Sequence, residues 1–188
     1  MRLFTAIEIS EPAREHLKRV RMKLVKERDV SAAVSWVRPE NLHVTLKFLG
    51  EVAETTLEPL LAALRSVRME PLELFARQMV YFPPRRGPVR VIAAGMGGDT
   101  PALSKLYDAV EGAASSSGLP REDRKYSPHI TIGRWRIRGR GDGGWLRDMT
   151  LQEEFQGPTF TANSFVLFES QLEAGGSKYS PLARLGAA

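Results

Sequence analysis

The 188-residue sequence contains no cysteine, which rules out disulfides, thiolate nucleophiles and cysteine-based zinc sites together. It also has no long hydrophobic run. The N-terminal apolar stretch, residues 3–9, is interrupted by Thr5 and Glu8, and it is far too short for a signal sequence or a membrane span. Because a cysteine-free chain fits a reducing compartment, we expect a cytoplasmic protein with no membrane partner.

The charge balance favours polyanionic partners. Lysine and arginine number 27 against 22 acidic residues, which gives a net charge of +5 and a pI near 9.7. Such a balance is typical of nucleic-acid-binding proteins, although many basic proteins bind no nucleic acid. The length suits one domain, or one domain of two similar lobes, and 43% hydrophobic residues indicate an ordinary globular protein.

Histidine is scarce, and two of the three histidines begin matching tetrapeptides. His43–Leu46 and His129–Ile132 both read His-apolar-Thr-apolar and start 86 positions apart. This alternation predicts two half-buried strands, each with an imidazole and a hydroxyl on one face, about 6–7 Å apart along the strand. One copy alone would be an ordinary exposed strand face, but two copies predict a shared site. The third histidine, His16, is predicted to lie on a helix surface.

Two imidazoles and two hydroxyls suit phosphoryl transfer. A neutral imidazole can take a proton from the attacking group, and an imidazolium can give one to the leaving oxygen, because histidine titrates near pH 6.5. The threonine hydroxyls can donate hydrogen bonds to phosphoryl oxygens as negative charge shifts there. A metal site would need further ligands, and no spaced cluster of Asp, Glu and His supplies them. We therefore expect neither a metal nor another cofactor.

The motifs also carry a family resemblance over essentially the whole chain. The segments 43–50 (HVTLKFLG) and 128–134 (PHITIGR) are similar to the paired motifs of the 2H phosphoesterases. Three flanking regions resemble one branch of that superfamily, the RNA 2′,3′-cyclic phosphodiesterases, also known as 2′-5′ RNA ligase-like proteins. These regions are residues 1–7 (MRLFTAI), 36–43 (WVRPENLH) and 168–172 (FESQL), the last followed by 176–181 (GSKYSP).

The resemblance implies an α+β fold of two pseudo-symmetric lobes. Each lobe would be an antiparallel sheet with outer helices, and the two sheets would face each other across a central cleft lined by both motifs. Residues 1–188 would form a single domain in which each lobe contributes one His-x-Thr strand. The residues themselves predict the mixture of helices and strands, and we expect the protein to be a monomer.

The resemblance further implies hydrolysis of RNA 2′,3′-cyclic phosphate ends, or of nucleoside 2′,3′-cyclic phosphates, to 2′-phosphates. His43 would be the general acid that protonates the 3′ oxygen, and His129 the general base that activates water. Thr45 and Thr131 would hold the phosphoryl oxygens. The residues alone do not say which histidine is the acid. Two alternatives remain open: 2′-5′ RNA ligation by reversal of the same chemistry, and non-catalytic binding of RNA ends.

Arg134 is the least settled site residue. The family places an arginine near the phosphate at this distance from the second motif, but regular alternation would point Arg134 away from the cleft. A bulge at Gly133 would restore its aim, and without one Arg134 would be a structural or rim charge. By the same alternation, Lys47 shares the face of His43 and Phe48 belongs to the core. The arginines at 134, 136, 138 and 140 form either an RNA-tracking rim or a solvated strand edge.

The remaining pattern predicts helices starting near residues 10, 55 and 100, and no linker divides the chain. We expect a polar connection over 115–127, a basic loop over 138–144 and a short helix within 145–155. Further strands are predicted at 2–9, 72–81, 89–95 and 178–185, with one long strand at 159–172.

Overall fold

The structure, a computed structural model, describes residues 1–27, 33–84, 87–136, 143–148, 155–174 and 176–186. The helices are α1 (Glu11–Glu27), α2 (Glu54–Arg65) and α3 (Thr100–Ser116), with short 3₁₀ turns at Pro39–Asn41 and Gly144–Asp148. The strands are β1 (Arg2–Glu8), β2 (Val34–Trp36), β3 (His43–Glu51), β4 (Leu72–Phe82), β5 (Val91–Gly98), β6 (His129–Trp135), β7 (Phe160–Ala162), β8 (Phe165–Glu173) and β9 (Gly176–Leu185).

The strand order shows two related halves. The order is β7-β4-β5-β6-β3-β1-β8-β9, with β2 beside the far end of β6, and every pairing is antiparallel. In one half, α1 lies in sequence between the paired strands β1 and β3. In the other, α3 lies between the paired strands β5 and β6. This repeat agrees with the α+β fold of two pseudo-symmetric lobes.

The two lobes meet where β3 and β6 pair. A single residue pair, Val44 with Ile130, joins them in the ladder. The two expected sheets are therefore the two halves of one continuous sheet, which are linked at its centre. Both His-x-Thr strands are therefore central and adjacent, and the strands diverge on either side of that pair.

All three helices pack against one face of the sheet. In α1 the hydroxyl of Ser10 accepts a hydrogen bond from the backbone of Ala13 at 3.3 Å, which is the expected cap. The buried helix residues join the inward-facing strand residues in one core, so the opposite face of β3 and β6 is left open. The helix contributions to this core include Leu17, Leu24, Leu60, Leu64, Leu103 and Val110, and the strand contributions include Leu3, Ile7, Val44, Leu46, Ile130 and Ile132.

The prediction of one long strand over 159–172 is wrong. The chain forms β7 and β8, separated by Asn163 and Ser164, and the two strands have different partners. β7 pairs with β4 in one lobe, whereas β8 pairs with β1 and β9 in the other. Asn and Ser favour turns over strands, and here they let the chain cross between the lobes.

Several predicted features lie partly or wholly outside the described residues. These include Arg138, Arg140, most of the basic loop over 138–144 and residues 149–154 of the predicted short helix. A 3₁₀ turn covers Gly144–Asp148, where the predicted short helix would begin. Among the described helices, none combines the length and the apolar character that crossing a membrane requires.

Candidate active site

The central strands bring the four predicted His and Thr residues to one open face. Val44 lies opposite Ile130, and both are completely buried against the helices. Their neighbours along each strand point to the other face. Because the strands are antiparallel, His43 lies on the side of Thr131, and Thr45 lies on the side of His129. The site thus has two imidazoles and two hydroxyls on adjoining strands, one pair from each lobe.

Hydrogen bonds fix the ring of His43. Its Nδ1 lies 2.7 Å from the carbonyl oxygen of Asn41, and its Nε2 lies 3.0 Å from Oγ1 of Thr45. A carbonyl can only accept, so Nδ1 carries the hydrogen and donates it. In the neutral ring Nε2 then accepts a hydrogen bond from the Thr45 hydroxyl. The reactive nitrogen of His43 is therefore Nε2.

His129 is held in the same way. Its Nδ1 donates to the carbonyl oxygen of Ser127 at 2.7 Å, two residues earlier in the chain. In the neutral ring Nε2 is again the nitrogen with a free lone pair. Both histidines thus take the same tautomer through the same local contact. This contact does not by itself separate an acid from a base.

Aromatic rings pack beside both histidines and shield them in part from water. The ring of His43 lies 5.0 Å from that of Phe4 and 5.5 Å from that of Tyr179. The ring of His129 lies 4.8 Å from that of Phe82. The burial that results from this packing is the main influence on the pKa of both imidazoles.

Burial lowers the pKa of His43 from 6.5 to about 4. The hydrogen bond to Asn41 opposes this effect, while the positive charges of His129 and Arg134 add to it. Burial also lowers the pKa of His129, against the hydrogen bond to Ser127 and with a further contribution from Arg134. Both imidazoles are therefore mainly neutral in the free protein at pH 7.

A bulge in β6 turns Arg134 towards the cleft. The register between β5 and β6 shifts by one residue at Ile132. Beyond the shift Arg134 lies opposite Val91, and Val91 is two positions from Ala93, which lies opposite Thr131. Directly opposite residues share a face, and so do residues two apart along a strand. Arg134 therefore shares the face of Thr131.

The residues around this bulge support the orientation of Arg134 towards the cleft. The positive charge of Arg134 is among the causes that lower the pKa of both His43 and His129. Gly133 is required for close packing, because a Cβ there would lie 2.6 Å from Cγ1 of Val34 on the neighbouring strand. The glycine thus permits the local geometry that presents the following arginine.

A matching bulge in β3 overturns the predictions for Lys47 and Phe48. The register between β1 and β3 shifts at Leu46, so the alternation reverses beyond it. Lys47 is only 4% exposed and forms an ion pair with Glu111 on the helix side. Phe48 is 64% exposed, and its ring lies 6.1 Å from that of Phe4 on the cleft side. Lys47 thus adds no charge to the cleft, and Phe48 is not a core residue.

The two bulges make Phe48 and Arg134 structurally equivalent. Each lies five residues after the histidine of its motif and one bulge beyond the threonine. The open face is therefore asymmetric: an aromatic side chain on the His43 side corresponds to a guanidinium on the His129 side.

Sequence reasoning missed the residues that surround and hold the histidines. Phe4 and Tyr179 lie in segments that carried the family resemblance, but no pattern placed them beside His43. The amide of Asn41 donates to the carbonyl oxygen of Ser177 at 2.7 Å, which joins two of those segments. For Phe82, at the end of β4, the sequence held no signal.

Across the part of the chain that the structure describes, no group of three or more His, Asp or Glu side chains lies close enough together to hold a metal ion. The predicted site residues that the open face brings together are two imidazoles, two hydroxyls and one guanidinium.

Comparison of the sequence with known proteins identifies the family of this chain. The sequence model of the LigT-like phosphoesterases matches residues 7–93 and 98–179, which include both motifs. An RNA 2′,3′-cyclic phosphodiesterase of Thermotoga maritima is 37% identical over 71% of this chain and 70% of its own length.

Solved structures agree over nearly the full length. A Thermus thermophilus protein superposes with a TM-score of 0.77 at 26% identity, covering 100% of this chain and 99% of its own. Escherichia coli LigT in complex with 3′-AMP gives a TM-score of 0.75 at 26% identity, covering 99% and 97%. Because the family match spans both lobes and both His-x-Thr strands, this chain belongs to the LigT-like phosphoesterase family, a group of 2H phosphoesterases.

Proposed function

We propose that this protein hydrolyses the 2′,3′-cyclic phosphate at RNA ends to a 2′-phosphate, without a metal ion. The observation that carries the proposal is the pair of Nδ1-anchored imidazoles on adjoining strands, one from each lobe, with two threonine hydroxyls on the same face. Relatives such as the Thermotoga maritima protein bear the name RNA 2′,3′-cyclic phosphodiesterase, which supports the same reaction here.

The proposed reaction is an in-line displacement at phosphorus. Nε2 of His129 takes a proton from water as the water oxygen bonds to phosphorus. The bond from phosphorus to the 3′ oxygen breaks, and Nε2–H of His43 gives that oxygen a proton. The phosphate stays on the 2′ oxygen. The assignment of acid and base follows the family resemblance, and Arg134 would stabilise the charge on the phosphoryl oxygens.

Substrate binding would supply the proton that the acid needs. Both imidazoles are mainly neutral in the free protein, and the negative cyclic phosphate favours protonation of the nearer ring. Once protonated, Nε2 of His43 can no longer accept the hydrogen bond from Thr45, and its hydrogen faces the 3′ oxygen. The Thr45 hydroxyl hydrogen then becomes available to a phosphoryl oxygen. Charging His43 and binding the phosphate would thus be coupled through one side chain.

The aromatic side of the cleft would take the base of the substrate. Phe4, Phe48, Phe168 and Tyr179 line the sheet face beside His43, and Phe48 presents most of its ring to solvent. Stacking on an aromatic side chain stabilises a bound base by about 1–3 kcal/mol and tolerates every base. This arrangement supports binding of a nucleotide with its base over the first lobe and its phosphate near Arg134.

We also propose that residues 1–188 act as one domain of two lobes, in a monomeric cytoplasmic protein. The shared sheet and the single main core that both lobes contribute to support this organisation.

A turnover assay tests the proposal. The four nucleoside 2′,3′-cyclic phosphates are incubated with the protein and EDTA, and phosphorus NMR assigns the position of the product phosphate. We expect 2′-phosphates. A 3′-phosphate product, or turnover only with added metal, would contradict the mechanism. Tight binding of RNA ends without turnover would favour the binding alternative, and joined tRNA half-molecules would show the ligation alternative.

A matched set of variants ties any activity to the site. His43→Ala and His129→Ala should each lose more than about 100-fold in rate, the usual size of an acid–base contribution. His16→Gln is the control, because His16 bonds the carbonyl of Phe155 and lies outside the cleft. Equal losses in all three variants would point to misfolding rather than chemistry.

A further inference from the structure

The segment that leads into the second motif is hydrogen-bonded to the first motif on the side of the sheet away from the cleft. We call residues 117–128, which connect α3 to β6, the approach segment. It carries the Ser127 carbonyl that orients His129. In the ladder, β3 and β6 share only the pair of Val44 and Ile130. The relative placement of the two motifs therefore depends on other contacts.

The first of these contacts is a buried ion pair. The bulge at Leu46 turns Lys47 inward, where its ammonium bonds Glu111 of α3 and donates to the Pro120 carbonyl at 3.0 Å. The second carboxylate oxygen of Glu111 accepts the backbone N–H of Glu122 at 3.2 Å. Each partner of the ion pair thus holds one point of the approach segment against β3 and α3.

The second contact is direct. The hydroxyl of Tyr126 donates to the backbone carbonyl of Thr45 at 3.1 Å. The Tyr126 ring stacks on Tyr107 of α3, with centroids 4.1 Å apart and planes inclined by 8°. Burial raises the pKa of Tyr126, so the hydroxyl keeps its proton as a donor. This bond joins a catalytic threonine of one lobe to the residue just before Ser127.

Stability alone does not require this arrangement. A buried ion pair is often replaced by apolar side chains of similar volume with no loss of stability. Such side chains would fill the space, but they could not bond the Pro120 carbonyl or the Glu122 N–H. What the charged pair provides beyond packing is therefore the attachment of the approach segment.

We propose that Lys47, Glu111 and Tyr126 form a brace that positions Nε2 of His129 relative to Thr45 and His43. None of the three faces the cleft, so they are positioning residues. The role rests on the proposed function, since it concerns the alignment of an acid–base pair. Misplacement of a reacting group by about 1 Å can cost on the order of 100-fold in rate.

Tyr126→Phe is the central test, because it removes one hydroxyl and keeps the stacked ring. With a nucleoside 2′,3′-cyclic phosphate, kcat should fall at least about tenfold while KM stays within about twofold. A kcat within twofold of the wild-type value would overturn the proposal.

The double variant Lys47→Met with Glu111→Leu tests the ion pair. It should unfold at a denaturant midpoint close to that of the wild-type protein, yet lose at least about tenfold in kcat. The control is Glu15→Leu with Lys18→Met, which removes an exposed pair on α1 and should change neither property. Full activity in the first double variant would overturn the role of the pair. If that variant does not fold, Tyr126→Phe decides.

A readout without turnover separates the brace from the proposed function. In Tyr126→Phe the NMR titration of His129 should move upward towards pH 6.5, because burial is the main cause of its low pKa and a looser approach segment admits water. If wild-type protein shows no turnover, the proposed reaction is wrong while this titration still tests the brace. An unmoved His129 titration would overturn the brace.

Discussion

The pKa of His43 predicts a specific loss of stability in mild acid. The folded protein holds the pKa near 4, while the unfolded chain has the ordinary value of 6.5. Between these values the unfolded state binds more protons, so stability falls as pH falls from about 6.5 towards 4. At pH 5 the difference amounts to about 2 kcal/mol for this one group. Because the ring edge is reachable from the cleft, this figure is an upper bound.

Urea unfolding followed by tryptophan fluorescence measures this effect. The free energy of unfolding is determined at pH 7.5 and pH 5 for the wild-type protein and for His43→Gln. The variant lacks the titrating ring, so its loss between the two pH values should be smaller by up to about 2 kcal/mol. Groups that are not coupled to His43 titrate alike in both proteins, so their contributions cancel in the difference.

An equal acid-induced loss in the two proteins would refute the reasoning. It would mean that His43 titrates in the folded protein much as it does in the unfolded chain. An NMR titration of the imidazole protons provides an independent check, since only three histidines are present. The His43 signals should titrate well below pH 6.5.

Three further predictions concern the cleft. Thr45→Val and Thr131→Val should each lower kcat by about 10- to 100-fold, because a donor to the phosphoryl oxygens is lost; an unchanged kcat would remove that hydroxyl from the reaction. Gly133→Ala should cost about 1–3 kcal/mol in urea unfolding through overpacking at the bulge, and full stability would contradict the close approach of Val34. Phe48→Ala should raise KM about tenfold for nucleoside cyclic phosphates through lost stacking, but not for ribose 2′,3′-cyclic phosphate. The exposed Leu172→Ala is its control.

Alternation along a strand predicted the core of the site but failed at the bulges. Thr45 and Thr131 lie before the bulge in their strands, so counting by two placed them correctly. One additional residue reverses the alternation directly after it, which is why Lys47 and Phe48 took the opposite faces. In β6 the bulge is marked by Gly133, whereas nothing marks the bulge in β3.

Contacts between distant segments were the other limit. The rings of Phe4 and Tyr179 meet at His43 because β1 lies between β3 and β8, and this order is a property of the whole sheet. The break between β7 and β8 likewise reflects partners in different lobes. Local propensity at Asn163 allows such a break but does not demand it.

The central claim is that His43 and His129, one from each lobe, act on the same phosphate as an acid–base pair. It is tested most directly by kcat/KM for His43→Ala, His129→Ala and the double variant on one nucleoside 2′,3′-cyclic phosphate. Groups that act as a unit are strongly non-additive. The account predicts a loss of more than about 100-fold in each single variant and little further loss in the double variant. Near wild-type activity in either single variant, or losses that multiply in the double variant, would contradict it.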